Sequence, residues 1–417
     1  MTTESDESRP RSKKYMYFLV TYMGLIALVD NYLSLIETEA TTSISTFFGY
    51  PDDTFILYWI GIFGFVAFLV FIIGGLADLW GRKIGMLILL ILMGGSALLI
   101  GLVGTKSVWI FLTFYSLVIL GTNVNLWTIP ISEESIPKRR AFNGSIAFLI
   151  GLIPLYALFG DDIDQALGWQ WMYGLMGAVG LALIIPWFFM KETKRWETNR
   201  EEYKLKTKRN QFKEAIKKFT KRDWFFIILT GGIYICWNTS FKMATFTIER
   251  FYIDAKPIGD LFQTILIFAG LATIIGALSI GLIMEKFGRM IGFAFSSVGA
   301  ALSYLGLAFH GHPTFMVLTY YFMACFLGFL LVYIPEMFST EIRGTATGLS
   351  LTLSRVGYVI GPLIASAILS AIAIPTQSYK ILYLVAGLIA LVPVITLVFN
   401  KYEPKGKSLE LIQEEVK

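Results

Sequence analysis

The sequence predicts an all-α membrane protein of about twelve transmembrane helices in two related halves, and three observations carry that reading. Hydrophobic residues make up 55% of the 417 and charged residues only 16%, too apolar a balance for a chain whose whole surface must be wet. Runs of roughly 20 apolar residues, the length that crosses a hydrocarbon core about 30 Å thick, recur from end to end. A loop motif and a helix-end motif then return about half a chain later.

The apolar runs fall near 15–36, 55–77, 84–104, 108–131, 139–160, 169–190, 224–246, 259–283, 290–309, 314–335, 344–372 and 379–399. The fifth is interrupted by Gly144, Gly151 and Pro154, residues that membrane helices tolerate. The polar first 14 residues end in Lys13 and Lys14 and lead into a segment long enough to stay as a helix, so no cleaved signal is expected.

Basic residues set the expected orientation. With both termini, the even-to-odd loops and the central loop in the cytoplasm, about 29 of the 35 Lys and Arg lie inside, as the positive-inside rule requires. The expected external loops carry Asp52, Asp53, Asp161, Asp162, Asp164, Asp254 and Asp260. The net charge of +5 is thus a topology signal and not a nucleic-acid footprint. The expected organisation is an amino tail over 1–14, a six-helix bundle over 15–190, a basic connector over 191–222, a second bundle over 223–400 and a tail over 401–417. The connector's stretch from Glu201 to Lys218 suits either a surface amphipathic helix or a solvated linker.

Cys236 and Cys325 both fall inside expected spans, and His310 and His312 flank a short turn. Neither pair suggests a disulfide framework or a metal site. With no phosphate loop and no evident catalytic set, an enzyme is not expected; neither is a cofactor, and the energy should come from a solute or ion gradient.

The repeats carry the next step. GLADLWGRKIG runs from Gly75 to Gly85 and GLIMEKFGRMIG from Gly281 to Gly292, while SEESIPKRR ends at Arg140 and PEMFSTEIR at Arg343. Duplicated six-helix units leave this trace. Gly75 and Gly81 would let helix backbones approach closely, and Asp78 and Arg82 would pair at the cytoplasmic mouth and latch one state of a gate. The plainer alternative leaves Arg82 and Lys83 as topology determinants only. The expected gate network is Asp78, Gly81, Arg82, Glu133, Glu134, Arg140, Glu285, Gly288, Arg289, Glu336 and Arg343.

These motifs resemble those of the major facilitator superfamily over nearly the whole chain. Asp78 to Lys83 matches its D-x-x-G-R-[RK] signature after the second helix, and Glu285 to Arg289 the second-half echo. Pro335 to Gly344 is similar to the P-E-x-F-P-T-x-x-R-G end of the tenth helix in sugar porters, organic ion transporters and metabolite–proton symporters, with Ser339 in place of proline. Glu192 to Trp196 resembles the P-E-S-P-R-W sequence, with Lys191 where its proline stands. The glutamine-rich seventh-helix motif of sugar porters is replaced by Trp237-Asn238-Thr239-Ser240. The resemblance implies two pseudo-symmetric six-helix bundles, alternating access by rocking, and a monomeric carrier of a small polar solute.

Charges inside a bilayer cost ~2.5–3.5 kcal/mol or more each, so they are functional candidates. Arg355 lies about ten residues into the eleventh span, roughly 15 Å deep at 1.5 Å per residue. Its guanidinium fork suits a carboxylate or phosphate, and Ser354-Arg355-x-Gly357 is similar to organic ion and metabolite carriers. An arginine neutralised by a buried acid or by carbonyls is the bland alternative. Asp30, in the outer third of the first span, is the candidate proton carrier, and Lys242, near an expected helix end, reads as snorkelling to the surface. Asn123, Trp127, Trp237, Asn238, Gln263, Tyr321 and Tyr358 complete the candidate solute-binding set, about half of which packing would account for. The expected substrate is an organic or inorganic anion such as a carboxylated metabolite, moved across the plasma membrane with or without protons; the alternatives are a neutral solute such as a sugar, or a receptor that kept the fold.

Overall fold

A computed structural model describes residues 11–69, 73, 76, 77, 80–122, 126–136, 139–194, 196, 197, 217, 219–256, 258, 261–338 and 343–396. All regular structure among them is helical. Among the described residues ten helices are long and apolar enough to cross a membrane, and two shorter apolar helices, Thr54–Leu69 and Val108–Thr122, fall where the second and fourth runs were expected. Each of the twelve sequence runs thus coincides with a helix.

Contacts group the chain into two compact units. The first comprises 1–36, 66–156 and 162–211. It holds α1 (Lys13–Leu35), α4 (Arg82–Leu90), α5 (Ser96–Val103), α6 (Val108–Thr122), α7 (Thr128–Glu134), α8 (Arg140–Gly151), most of α9 (Leu155–Leu167), α10 (Trp169–Ala182) and α11 (Ile184–Trp187). The Ser12 side chain caps α1 by accepting from the Tyr15 N–H, satisfying one of the donors that every helix start leaves over. A π-helical turn over Ile91–Gly95 joins α4 to α5. Helices α5 and α10 pack through Gly101 and Gly174, where a Cβ on Gly101 would stand 2.8 Å from the Gly174 Cα; small residues give membrane helices this contact. Phe111, Tyr115, Trp169 and Tyr173 form the buried aromatic centre, with ring centroids 5.3 to 6.4 Å apart.

The second unit comprises 37–65, 157–161 and 212–417. Its helices are α2 (Glu37–Phe47), α3 (Thr54–Phe63), α12 (Lys221–Thr245), α13 (Ile248–Asp254), α14 (Phe262–Phe287), α15 (Arg289–Phe309), α16 (Pro313–Glu336), α17 (Arg343–Ser354), α18 (Val356–Ala371) and α19 (Pro375–Leu391). Thr220 and Asp223 form a reciprocal capping box on α12, fixing where that long helix starts. Helix α12 packs against α17, α18 and α19, and α3 runs along α18. Phe293, Phe326, Phe329 and Tyr333 stack in the core, Phe293 on Phe329 at 4.7 Å. Both units leave large apolar side chains outside, among them Phe188, Phe189, Ile228 and Leu282, as lipid contact rather than water demands.

The chain does not leave its first helix where hydropathy ends it. After Ile36 it continues as α2 through the polar run ETEATTSISTF, whose Glu37 and Glu39 are both buried.

Candidate functional site

The sequence-derived gate residues assemble at the first turn of α4. Gly81 has φ +111, a left-handed value that costs any other residue, and Arg82 follows it as the first residue of α4. The Arg82 guanidinium reaches Glu133 at 3.1 Å and gives a second N–H to the Ala77 carbonyl at 3.2 Å. Glu192 accepts from the Arg82 and Lys83 backbone N–H groups at 2.9 and 3.2 Å, so a carboxylate more than 100 positions away serves as the N-terminal cap of this helix. Burial pushes the Glu192 carboxyl up from its ordinary value, although the Thr193, Lys83 and Arg82 N–H groups oppose that shift. Thr193 Oγ1 donates to Glu133 at 2.6 Å. Glu134 takes Arg11 at 2.7 Å and the Lys194 N–H at 2.6 Å.

The second unit repeats the core of this arrangement. Gly288 has φ +106, and Arg289 pairs with Glu336 at 2.9 Å while reaching back to the Met284 carbonyl at 3.4 Å. Both arginines therefore touch the carbonyl five residues before them and a glutamate on another helix. Glu285, expected in this network, is exposed. Asp78 lies outside the described residues; Arg140 opens α8 and Arg343 opens α17, with their side chains also outside the description.

The solute-site candidates divide. Arg355 caps α18 at the turn where α17 ends, is 7% exposed and holds its guanidinium 5.5 Å from the Tyr358 ring centre. Lys242 approaches the same ring at 4.9 Å and Phe246 at 5.0 Å. It does not snorkel. Lys242 is 2% exposed and lies 2.6 Å from Glu37 of α2. Snorkelling needs a route to water for the ammonium, and the continuation of the first helix as α2 puts a carboxylate there instead.

Trp237 and Asn238 are buried and each gives one N–H to the scaffold: the indole N–H to the Met323 carbonyl at 2.8 Å and an amide N–H to the Ser354 carbonyl at 2.9 Å. The Asn238 bond fixes α12 to the turn that presents Arg355. Gly357 allows that contact, since a Cβ there would collide with Asn238 Cβ. Tyr321 shares a hydrogen bond with Ser279 at 2.9 Å, whereas its neighbour Tyr320 is the buried ring with its hydroxyl 3.5 Å from Thr38, beside Glu37. Gln263 donates to the Ala157 carbonyl. Asn123 lies outside the described residues.

Trp127, in the other unit, is 6% exposed and stacked on Phe148. Asp30 is 5% exposed within α1 of that unit. Among the described residues no His, Cys, Asp and Glu group is placed to hold a metal.

This architecture has known counterparts. The family model of the major facilitator superfamily matches residues 19–332. The chain belongs to that superfamily. Among curated relatives, YwtG of Bacillus subtilis, which carries a metabolite-transport name, is 26% identical over 397 residues, covering 82% of each chain. The glucose transporter GlcP of Staphylococcus epidermidis is 25% identical over 400 residues, 82% of this chain and 84% of its own. The structure of XylE, the proton:xylose symporter of E. coli, aligns with TM-score 0.71 at 16% identity, covering 98% of this chain and 100% of XylE. The protein has the major facilitator fold and is an integral membrane secondary transporter of small solutes.

Proposed function

We propose that this transporter carries a small anion, a carboxylated metabolite first of all, across the plasma membrane by alternating access, with protons as the coupling ion and both termini cytoplasmic. One observation supports the substrate class most: Arg355, buried at a helix turn in the middle of a span, shares the Tyr358 ring with a second buried cation, Lys242. Retaining two buried cations here is costly even though one of them, Lys242, is paired with Glu37. A guanidinium in such a place binds a carboxylate through paired N–H donors. Arg355 is the anchor for the anion in this reading, and Asp30, buried in α1, is the proton carrier.

The names of GlcP and XylE favour a second reading, a sugar. Against it, the Trp237 indole N–H and one Asn238 amide N–H, groups suited to a sugar hydroxyl, are already bonded to the Met323 and Ser354 carbonyls.

Uptake of labelled succinate, benzoate, inorganic phosphate and glucose into proteoliposomes with an imposed proton gradient tests both. Anion uptake is expected, falling by roughly 100-fold or more in Arg355→Ala, as loss of a buried charge-assisted contact implies. Glucose accumulation that survives Arg355→Ala would establish the sugar reading.

A further inference from the structure

We infer that Lys242 is a second anion-recognition residue and that Glu37 occupies it in the absence of substrate, standing in for one carboxylate of a substrate that carries two. The inference rests on the anion reading above and assigns its substrate class, a dicarboxylate.

The pair is the most buried of the ion pairs described. Lys242 Nζ and Glu37 Oε2 lie 2.6 Å apart with side chains 3% and 4% exposed, whereas Arg289–Glu336 is 17% and 20% exposed. A buried pair gains little net stability over apolar residues of similar size. Conservation of stability is therefore a weak reason for placing one here, and a ligand that exchanges with one partner is a stronger reason. Lys242 is also not presented as an isolated pair: its ammonium lies on the Tyr358 ring, the ring that Arg355 addresses from within its own helix. One carboxylate on Arg355 and a second on Lys242 would straddle Tyr358.

The charged and titratable groups around the pair define what happens on exchange. Arg355 and Tyr358 on α18 act on Lys242 electrostatically along with Glu37. On the acid's side stand Glu39 of α2 and Tyr320 of α16, whose hydroxyl contacts Thr38. Helix α13, packed against α2, brings Glu249 and the Arg250–Asp254 pair, and α19, packed on α12, brings Tyr379 and Tyr383. When a substrate carboxylate takes Lys242, Glu37 gives up its place on the ammonium.

Succinate binding to the purified full-length protein, followed by calorimetry, reads this directly. Glu37→Gln should bind succinate at least tenfold more tightly than the wild type, because the carboxylate that holds Lys242 is gone. The double variant Glu37→Gln/Lys242→Met leaves no lone buried charge and guards against a folding defect in the single variant; its succinate affinity should fall at least tenfold. An affinity within twofold of wild type in the double variant would show the pair to be structural and overturn the inference. Succinate binding that is lost in Arg355→Ala but indifferent to Lys242 and Glu37 keeps the anion reading and removes this one, whereas no binding of any carboxylate removes both.

Discussion

Gly81 and Gly288, 207 positions apart in sequence, hold the same left-handed backbone, φ +111 and +106, and each hands the chain to an arginine that begins a helix. The turn aims the arginine backwards, to the carbonyl five residues earlier, and sideways, to a glutamate on another helix. Close approach of helices was the role expected of Gly81 from its sequence. The backbone conformation is the stronger requirement.

Gly81→Ala should therefore lose ~1–2 kcal/mol from the left-handed conformation alone. A Cβ there would also collide with the Glu192 carboxylate that caps α4. The melting temperature in detergent should fall, and adding Glu192→Ala should cost less in this background than in the wild type, because the cap is already displaced.

The Arg82–Glu133 pair should couple more strongly than its counterpart Arg289–Glu336. Side-chain exposures are 6% and 10% in the first and 17% and 20% in the second, and screening by water grows with exposure. Double-mutant cycles with Arg→Gln and Glu→Gln, read as chemical or thermal stability, should give about 1–2 kcal/mol for the first pair and under about 1 kcal/mol for the second. Equal couplings would mean that burial does not set their strength.

Hydropathy and repetition made the spans, the two glycine–arginine turns and the buried Arg355 legible, because each leaves a local mark: a long apolar run, a motif at a fixed offset, a lone charge in a span. The Lys242–Glu37 pair left none. Glu37 sits in a polar run that hydropathy places beyond the first span, and Lys242 sits near the end of the seventh, so each alone reads as a surface residue. The signal available was their separation of 205 residues, close to the offset of the glycine–arginine motifs, which sets an acid and a base at corresponding positions of a duplicated chain. Tyr320 was missed for Tyr321 because helix register within an all-apolar run cannot be read from hydropathy. The cap that Glu192 supplies to α4 could not be read either, since only the fold brings 192 to 82.

Gly357 should tolerate no side chain. A Cβ there would collide with Asn238 Cβ and stand 2.9 Å from the Ile235 carbonyl, all of it on the line where α18 meets α12. Gly357→Ala should cost ~1–3 kcal/mol by overpacking, and Gly357→Val more. Anion uptake should fall further than stability predicts, because the same contact carries the Asn238 bond to Ser354 that seats Arg355. Gly348→Ala, where a Cβ would meet open space, is the comparison that should leave both unchanged.

Asp53 gives the protein a pH dependence of its own. It lies between α2 and α3, 1% exposed, with Thr42 Oγ1 donating to it at 3.3 Å. Burial pushes its carboxyl up from 3.8 to about 6, against the opposing pull of Ser45, Arg250 and Thr42. The folded protein thus keeps a proton there at pH values where the unfolded chain has released it. More protons bound when folded means that stability falls as pH rises through the window from about 4 to about 6 and is level outside it. One pKa unit is worth ~1.4 kcal/mol, so the loss is on the order of 3 kcal/mol at most. Asp53→Asn keeps a neutral group of the same shape and should flatten the dependence, leaving a melting temperature that matches the wild type at the acid end and exceeds it near neutrality. A wild-type melting temperature that instead climbs across this window, with Asp53→Asn following it, would place the controlling acid elsewhere.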